Sequence, residues 1–369
     1  MNILYVEPFY SGSHKQWIDA YREYSSHDID ILSLPGSRWK WRMHGAAITL
    51  ANEYNKMTKT YSLILCSDFL NLPVFISQCK GRLIDTPISM YFHENQASYP
   101  WSPRDRDVNL ERDFHYYFIN QTSSLASDWN LFNSEYHLES YLDGLKRYLN
   151  KMPDNKNIKS IEEIENKSSI LYIGCDLLRL SKPSPKKGNK KPVVLWNHRW
   201  EFDKNPDLFF KTLIKLKNNG FEFSLIILGE NYSNSSDIFN HAKEVLSDEI
   251  IHIGYCESFR EYRDWLWKAD ILPVTSIQDF FGISIIEATY CDTYPILPDR
   301  LSYTELFKKD KNPDLFYRTD TQLYNKLRDA MKKHTTLSSY SHIAKEYDWS
   351  KMVLEYDDNL RELAKKLSF

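Results

Sequence analysis

The residues best placed to do chemistry form one stretch near the C-terminal end of the chain. There Asp279 is followed by two aromatic residues, Gly282 and, within an apolar run, Glu287. Gly282 can take backbone conformations closed to other residues, and a helix beginning just after it would point its positive end at a ligand. An acid in such apolar surroundings needs a polar partner, for which sugar hydroxyls are suitable. The simpler interpretation is that Glu287 only complements the helix dipole.

The segments around this stretch predict a parallel α/β sheet. An apolar β-type segment, residues 269–276, precedes the loop, and residues 294–297 form another apolar strand after the helix. Strand, loop, helix and strand in this order are typical of doubly wound domains, which bind ligands at the carboxyl ends of their strands. We therefore expect Asp279 and Gly282 to lie at such an edge.

Two cations occupy a comparable loop earlier in the chain. Arg199 and Lys204 follow the predicted strand 193–196 and precede an amphipathic helix over residues 207–218. Two cations at the end of a strand can neutralise a diphosphate. The alternative is that either side chain is an ordinary surface cation.

The N-terminal segment has the pattern that opens a doubly wound domain. Residues 3–6 are predicted to form a strand, residues 7–14 a loop and residues 15–24 a helix. Gly12 stands alone, so this is not the dinucleotide-binding fingerprint. Either Gly12 only permits a turn, or its backbone and that of Ser13 approach the donor phosphates or the acceptor.

Basic and aromatic residues alternate after a second predicted strand, residues 29–34. They are Arg38, Trp39, Lys40, Trp41 and Arg42, in a segment predicted to be a loop. The alternation offers cations to phosphates and rings to bases. An exposed edge strand with extended cations is the alternative, and we favour contact with RNA.

Four polar residues, His93, Glu94, Asn95 and Gln96, follow the predicted strand 87–92. This is again the end of a strand at which α/β proteins bind ligands. No second histidine completes a zinc motif. His93 and Glu94 are therefore candidates for orienting an acceptor hydroxyl or a donor sugar by charge-assisted hydrogen bonds.

Composition limits the remaining possibilities. The 369 residues suffice for two α/β domains, and the net charge of −3 gives no general attraction to nucleic acid. The five cysteines form no Cys-x-x-Cys pair, which is typical of a reducing compartment. The first apolar segment is too short for a signal peptide, and no apolar run approaches membrane-spanning length. We expect a cytoplasmic protein that does not enter a membrane.

The stretch from Asp279 to Glu287 resembles the Glu-x7-Glu signature of retaining GT-B glycosyltransferases of the GT4-like group, with Asp279 where the first Glu usually stands. The resemblance implies that Asp279 and the following backbone amides hold the donor sugar, and that Glu287 holds the ribose of the nucleotide. It also implies that Arg199 and Lys204 grip the diphosphate. The donor-binding residues implied by this resemblance are Gly12, Arg199, Lys204, Gly229, Tyr255, Asp279, Phe280, Phe281, Gly282, Ile283 and Glu287.

A closer resemblance is to the tRNA-queuosine α-mannosyltransferase family. The motifs that carry it are Phe9-Tyr-x-Gly-Ser-His-Lys15, Arg38-Trp-x-Trp-Arg42, Tyr91-Phe-His-Glu-Asn-Gln96, Glu111-Arg-Asp-Phe114, Phe132-Asn-Ser134, His198-Arg-Trp-Glu-x-Asp-Lys204 and Phe280-Phe-Gly282 with Glu287-Ala288. It implies transfer of mannose from GDP-mannose to the cyclopentene-diol of queuosine in a tRNA anticodon, with tRNA-Asp as the expected substrate. The anomeric configuration would be retained, and no metal or other cofactor is expected.

The same resemblance implies roles for further residues. On the acceptor side it places Ser13, His14, Lys15, Arg38, Trp39, Lys40, Trp41, Arg42, Glu94, Asn95 and Gln96. The expected catalytic residues are His93, Arg199, Lys204 and Asp279. No side chain is clearly placed as a nucleophile, so a front-face route is preferred to a covalent intermediate.

The predicted architecture is α/β of the GT-B type, with two Rossmann-like doubly wound domains facing a central cleft. Residues 1–165 form the acceptor domain, residues 166–345 the donor domain, and residues 346–369 a helix that crosses back to the first domain. The Lys-rich residues 182–191 are interpreted as a linker or exposed loop.

Two other interpretations remain open. One is a GT-B enzyme that acts on a glycan, lipid-linked or protein acceptor, and the other is an inactive protein that binds nucleotide sugar and RNA.

Overall fold

The computed structural model describes residues 1–79, 81–102, 105, 107, 114–181, 188–229 and 238–366. The chain forms two compact units. The first, the N-terminal unit, comprises Met1–Gly174 with Trp349–Phe369, and the second, the C-terminal unit, comprises Cys175–Asp348. The boundaries at 174/175 and 348/349 lie a few residues beyond those expected at 165/166 and 345/346. Most of the expected linker, residues 182–187, lies outside the described residues.

The N-terminal unit is a six-stranded sheet flanked by helices. In chain order its elements are β1 Asn2–Tyr10, α1 Gly12–Tyr24, β2 Asp28–Pro35, α2 Trp39–Tyr54, β3 Leu63–Ser67, α3 Leu72–Gln78, β4 Ile88–Phe92, α4 Phe114–Ala126, β5 Trp129–Phe132, α5 Glu135–Asn150, α6 Lys159–Asn166 and β6 Ser168–Ile170. The strand order is β2-β1-β3-β4-β5-β6, and every pair is parallel.

The C-terminal unit contains a second parallel sheet. Its elements are β7 Val193–Asn197, α7 Pro206–Asn218, β8 Ser224–Leu228, α8 Ile238–Val245, β9 Ile250–Gly254, α9 Phe259–Lys268, β10 Ile271–Pro273, α10 Ile283–Tyr290, β11 Tyr294–Pro298, α11 Tyr303–Leu306, β12 Phe316–Tyr317, α12 Asp320–Lys332 and α13 Ser341–Ala344, with short 3-10 helices at Leu178–Leu180, Phe202–Lys204, Pro313–Leu315, His334–Thr336 and Lys345–Tyr347. The strand order is β12-β11-β10-β7-β8-β9. The last helix, α14 Trp349–Lys366, belongs to the N-terminal unit.

Buried apolar strands explain why both sheets form. All residues of β3, β4 and β7 are buried, as expected for central strands covered by helices on both faces. The register places Val6 opposite Cys66 and Ser67 opposite Tyr91, so the last residues of β3 and β4 lie beside the point where β1 stops pairing with β3. The polar residues that follow these strands are therefore brought together, as the α/β pattern predicts.

Two segments predicted to be loops are regular structure. The predicted loop 7–14 is wrong because β1 continues to Tyr10, where it pairs with Pro35 of β2, and α1 begins at Gly12. The predicted loop after β2 is also wrong, because α2 begins at Trp39. Trp39 packs in a small core cluster with Met43, one helical turn on, which overrides the period-two alternation of the sequence.

Three smaller expectations can be settled from the described chain. The five cysteines are buried free thiols. Helix α6, which was not predicted from the sequence, buries Ile164. No helix of the described ranges is both long enough and apolar enough to cross a membrane.

Candidate active site

Gly282 shapes the loop that follows β10. Its φ of +94° lies in the left-handed region, and an added Cβ would come within 3.1 Å of both Ile285 Cδ1 and Tyr303 Cε1. Glycine is therefore required here for both backbone and steric reasons. Helix α10 begins at Ile283, and no side chain caps it. Its first N–H groups are thus available to an anionic ligand.

Lys204 lies at the centre of a buried charged cluster. Its Nζ donates to the carbonyl of Gln278 at 2.8 Å and lies 3.2 Å from Asp203 Oδ2 and 3.5 Å from Asp279 Oδ2. Burial lowers the pKa of Lys204, but the carboxylates of Asp279 and Asp203 outweigh this and leave the pKa above its ordinary value. Lys204 is only 8% exposed, so interpreting it as an ordinary surface cation is wrong.

Tyr303 fixes the orientation of Asp279. Its hydroxyl donates to Asp279 Oδ2 at 3.0 Å, which is the same oxygen that faces Lys204. This tyrosine was not among the sequence-predicted site residues, because it lies in α11, beyond the signature stretch. One carboxylate oxygen of Asp279 is thus held by both a cation and a hydroxyl, which locks the side chain in place.

Arg199 differs from Lys204 in its surroundings. Its side chain is 51% exposed, and its Nη2 lies 3.3 Å from Glu201 Oε2. An exposed guanidinium can reorient towards a diphosphate with little loss of packing. Arg199 and Lys204 thus offer one adaptable and one fixed cation.

Glu287 has a partner inside the protein. Tyr262 donates a 2.6 Å hydrogen bond to Glu287 Oε2, and Asn197 Nδ2 donates to the Tyr262 hydroxyl at 3.0 Å. Burial raises the pKa of Glu287 to about 7, even though the Tyr262 hydrogen bond acts in the opposite direction. Its carboxyl group therefore changes charge near neutral pH. Neither Tyr262 nor Asn197 was predicted as a site residue.

His198 is a further polar group in this loop. Its Nδ1 is 3.5 Å from Ser284 Oγ, whereas its buried Nε2 has no hydrogen-bond partner among the described residues. Burial and the charge of Lys204 lower the pKa of His198 to about 3, so the imidazole is neutral.

Gly229 and Tyr255 lie at the ends of β8 and β9. At Gly229, where φ is +111°, an added Cβ would lie 2.1 Å from the carbonyl oxygen of His198, so the strand end passes close to the cation loop. Tyr255 is 69% exposed and follows β9 directly. Their predicted contacts with the donor stay predictions.

The aromatic residues of the signature point away from solvent. Phe280 and Phe281 are buried, and Phe281 packs edge-on against Tyr347 at a ring separation of 5.4 Å. Their predicted role in donor binding stays a prediction, and the resemblance assigns it to the backbone amides that follow Asp279. Ile283, the first residue of α10, is partly buried.

In the N-terminal unit, Glu7 organises a second polar cluster. Its oxygens accept hydrogen bonds from the Tyr5 hydroxyl at 2.7 Å, the Phe9 N–H at 2.7 Å and Ser67 Oγ at 2.9 Å, and Oε2 lies 3.0 Å from His14 Nδ1. Sequence interpretation missed Glu7 because it assigned this residue to a loop. Because β1 and β3 are parallel neighbours with Val6 opposite Cys66, the next residue of β3, Ser67, lies beside Glu7.

His14 and His93 form the histidine pair of this cluster. Their rings are 4.2 Å apart, and both side chains are buried. Burial disfavours the charged form of His14, but Glu7 outweighs this and raises the pKa of His14 to about 9. Burial, followed by the charge of His14, lowers the pKa of His93. One ring is thus cationic and the other neutral at pH 7.

Asp68 holds the backbone of the same strand end. Its Oδ1 accepts a 3.0 Å hydrogen bond from the His93 N–H, and burial raises the pKa of Asp68 to about 8. Beyond His93, Gln96 Nε2 donates to Glu94 Oε1 at 2.9 Å. Asn95 is fully buried, and its Nδ2 has no hydrogen-bond partner among the described residues. This donor and the neutral His93 are the groups best able to meet an acceptor.

The remaining predicted acceptor residues lie at the starts of α1 and α2. Ser13 and Lys15 are exposed, and Lys15 forms an ion pair with Asp19. Gly12, which was predicted to bind the donor, is also exposed; its φ is +52° and no atom lies within 4 Å of an added Cβ, so its backbone is open to a ligand.

The alternating segment presents its residues unequally. Trp41 is 63% exposed, whereas Trp39 packs against Tyr116 at a ring separation of 5.1 Å. Lys40 is held by Asp105 at 2.7 Å and by Asp107. Arg38 adopts φ +52° ahead of α2, and Arg42 donates to the carbonyl of Pro35 at 3.2 Å. Of the neighbouring motif, residues 111–113 lie outside the described residues.

Comparison with known proteins identifies the relatives of this chain. Residues 2–175 match a family described as tRNA-queuosine alpha-mannosyltransferase N-terminal, and residues 179–347 match one described as glycosyl transferases group 1. The tRNA-queuosine alpha-mannosyltransferase of Drosophila melanogaster is 36% identical over 336 residues, which are 88% of this chain and 86% of that protein. The chain belongs to the tRNA-queuosine alpha-mannosyltransferase family. It is therefore a glycosyltransferase.

Solved structures confirm the predicted fold. Sucrose-phosphate synthase from Thermosynechococcus elongatus has a TM-score of 0.76 at 13% identity, with 99% of this chain and 100% of that chain covered. A glycosyltransferase from Rickettsia africae has a TM-score of 0.65 at 16% identity, with 99% and 98% covered. At such identities the likeness concerns the fold alone, which is GT-B.

Proposed function

We propose that this enzyme transfers mannose from GDP-mannose to the cyclopentene-diol of queuosine in a tRNA anticodon, with tRNA-Asp as the substrate. The observation that carries the proposal is the 36% identity to the Drosophila enzyme over 88% of this chain, since the name of that enzyme states both the sugar and the modified nucleoside. The donor and acceptor sites follow from the two polar clusters.

The donor is assigned to the cluster around Lys204. Negative charge grows on the leaving GDP, and fixed positive groups that stabilise it lower the barrier most effectively. Lys204 is held in place by buried partners, Arg199 can swing onto the diphosphate, and the uncapped start of α10 adds N–H donors. Asp279, locked by Tyr303, is assigned to the sugar hydroxyls, and Glu287 to the ribose.

The acceptor is assigned to the N-terminal unit. The neutral ring of His93 and Nδ2 of Asn95, which has no hydrogen-bond partner among the described residues, can hydrogen-bond a hydroxyl of the cyclopentene-diol. Exposed Trp41 and Arg38, together with the half-buried Arg42, offer a stacking face and phosphate contacts to the anticodon arm. Holding both reactants in this way supplies much of the rate enhancement.

We further propose a front-face route with retention and without a metal. A covalent route would need a carboxylate that is free to attack the sugar. Asp279 is held by Tyr303 and Lys204, and Glu7 accepts hydrogen bonds from Tyr5 and Ser67, so neither is free to do so. The expected outcome is that transfer continues in the presence of a chelator. A rate that collapses and is restored by a divalent cation would overturn the metal-free route.

Nucleoside mass spectrometry tests the proposal. The protein is incubated with GDP-mannose and queuosine-containing tRNA-Asp, and the digested nucleosides are analysed for a hexose-shifted queuosine. The controls are the same tRNA lacking queuosine and the donors GDP-glucose and UDP-glucose. A shift with GDP-mannose alone supports sugar, donor and acceptor together. If GDP-mannose is bound or hydrolysed but queuosine stays unshifted, the acceptor assignment is wrong.

A further inference from the structure

Two groups of side chains in the described chain bring three metal-ligating atoms within 4.8 Å of one another. They are Glu7, His14 and His93 in one group and His252, Cys256 and Glu261 in the other. The two groups differ in whether their ligand atoms are available. The first belongs to the acceptor cluster, and the second has no part in the proposed transfer.

The first group is closed to an ion. Both oxygens of Glu7 already accept hydrogen bonds from Tyr5, Phe9 and Ser67 and face His14. A cation would have to displace these bonds and the buried charge of His14. The cluster is therefore an ion pair supporting the acceptor site.

The second group is open. Its carboxylate, on Glu261, makes no hydrogen bond to the described residues, although the Glu261 N–H donates to Ser258. Its thiol and imidazole contact only each other by hydrogen bonding, with 3.7 Å between Cys256 Sγ and His252 Nε2. Thiolate, imidazole nitrogen and carboxylate are the three ligand types that zinc uses in proteins.

The spacing of these atoms suits a tetrahedral ion. With a Zn–S bond of about 2.3 Å and a Zn–N bond of about 2.0 Å, a tetrahedral angle separates sulfur from nitrogen by about 3.5 Å. The Cys256–His252 separation of 3.7 Å is close to this value. The carboxylate lies within 4.8 Å of both, so a small side-chain rotation of Glu261 completes a three-ligand set.

The three residues come from adjacent, well-defined elements. His252 lies in β9, Cys256 in the loop after it, and Glu261 in the first turn of α9. Trp265 of α9 packs on the imidazole of His252 at a ring separation of 4.7 Å, which fixes its orientation. Such support of a ligand is typical of built metal sites.

We propose that His252, Cys256 and Glu261 bind a zinc-class divalent cation, with a water molecule as the fourth ligand. The ion joins the end of β9 to the start of α9 and so stabilises the loop that carries exposed Tyr255. Its three ligands take no part in the proposed transfer.

Cobalt titration of the full chain tests this site. After removal of bound metal with a chelator, Co2+ is added while absorption is followed. One Co2+ per chain, with a thiolate-to-cobalt charge-transfer band that Zn2+ removes, is expected, and Zn2+ should raise the unfolding temperature. Absence of the thiolate band, or a band seen only at millimolar Co2+, would overturn the proposal.

Variants assign the ligands. Cys256→Ser should abolish the charge-transfer band, and Glu261→Gln should weaken Co2+ binding by at least about tenfold. Glu257→Gln removes an exposed acid beside the site and should leave binding unchanged. If Cys256→Ser does not fold, the Glu261→Gln result alone decides, because the Glu261 carboxylate makes no hydrogen bond to the described residues and glutamine has nearly the same size. Equal affinities of Glu261→Gln and the unmodified chain would contradict the ligand set.

Discussion

The carboxyl ends of the two sheets carry charged groups in opposite arrangements. In the N-terminal unit the charges neutralise each other, because His14 lies against Glu7, whose oxygens are also bonded by Tyr5, Phe9 and Ser67. In the C-terminal unit Lys204 is fixed, Arg199 is exposed, and the start of α10 is uncapped. The same edge of the same fold thus carries a self-paired cluster in one unit, and in the other an exposed guanidinium and an uncapped helix start, where we propose that an anion binds.

Replacing Lys204 with methionine should have the largest effect. It leaves the carboxylates of Asp203 and Asp279 close together without their buried cation, which typically costs about 3–5 kcal/mol of stability. Denaturant unfolding measures this loss, and the transfer rate should fall with it. Lys211→Met, which removes a cation that is 70% exposed in α7, is the matched control and should be near neutral. Equal stabilities of the two variants would contradict the buried cluster.

Arg199→Ala should separate function from folding. Removing one charge-stabilising donor commonly lowers kcat by about 10²- to 10³-fold, whereas loss of a half-exposed side chain changes stability by less than about 0.5 kcal/mol. Steady-state transfer assays measure the change in kcat, and thermal unfolding measures the change in stability. An unchanged rate would remove Arg199 from the diphosphate site.

Glu7→Gln should destabilise the N-terminal unit by about 1–3 kcal/mol, because it breaks charge-assisted bonds in a buried network. The pH dependence of this stability loss shows whether it comes from the ion pair between Glu7 and His14. Since the folded pKa of His14 is raised to about 9, its contribution is complete below the unfolded value near 6.5 and is lost as pH rises through about 9. The folded pKa of Glu7 is lowered, so its contribution is lost only as pH falls below about 4.5.

Unfolding of Glu7→Gln and the unmodified chain is therefore compared across pH. The stability difference should be largest between about pH 4.5 and 6.5 and shrink towards pH 9. Asp68, whose pKa is raised to about 8 mainly by burial, is present in both proteins, so only the change that Glu7→Gln makes to its pKa enters the difference. Asp28→Asn, which alters a carboxylate that is 65% exposed, serves as control. A pH-independent difference would show that His14 is not held as a cation.

Glu287 should make donor use pH-dependent near neutrality. Because burial raises the pKa of Glu287 to about 7, its carboxylate form, the better acceptor for ribose hydroxyls, gains population as pH rises from about 6 to 8. The value of kcat/KM for GDP-mannose should rise several-fold over this range, and Glu287→Gln should flatten the profile. Tyr262→Phe removes the hydrogen bond that opposes the shift and should move the midpoint upward. A downward shift would contradict this assignment.

The smallest expected effect is a difference in tRNA binding between variants of two neighbouring cations, Arg38 and Lys40. Arg38 is exposed at the start of α2, whereas Lys40 is already held by Asp105 and Asp107. Arg38→Ala should weaken tRNA binding and reduce the salt slope by about 1, and Lys40→Ala should do less, since its charge is neutralised within the protein. Filter binding at several salt concentrations measures both. A larger effect at Lys40 would reverse this order.

The sequence was sufficient to predict those features of the fold and site that depend on residues close together in the chain. It predicted the strands that precede His93, Arg199 and Asp279, and the position of Glu287 inside the helix that follows Gly282. It did not predict Tyr303 as the partner of Asp279 or Tyr262 as that of Glu287. These hydroxyls come from other helices, and no local pattern identifies a tyrosine that will face a given acid.

The errors in the N-terminal unit have the same physical origin. Alternating basic and aromatic residues from Arg38 to Arg42 favour an extended or loop conformation, yet α2 forms because Trp39 and Met43 pack on Phe69. Glu7 was assigned to a loop because a polar residue usually ends a strand, whereas pairing with β2 continues β1 beyond it. In both cases tertiary contacts override the local pattern.

The most direct test of the two-site account is a crossed binding measurement. Affinities for GDP-mannose and for queuosine-containing tRNA are determined for Arg199→Ala and for Arg38→Ala. The account predicts that Arg199→Ala weakens only the nucleotide sugar and that Arg38→Ala weakens only the tRNA. If either variant lowers both affinities to the same extent, or if the losses are exchanged, the assignment of donor and acceptor to separate units is contradicted.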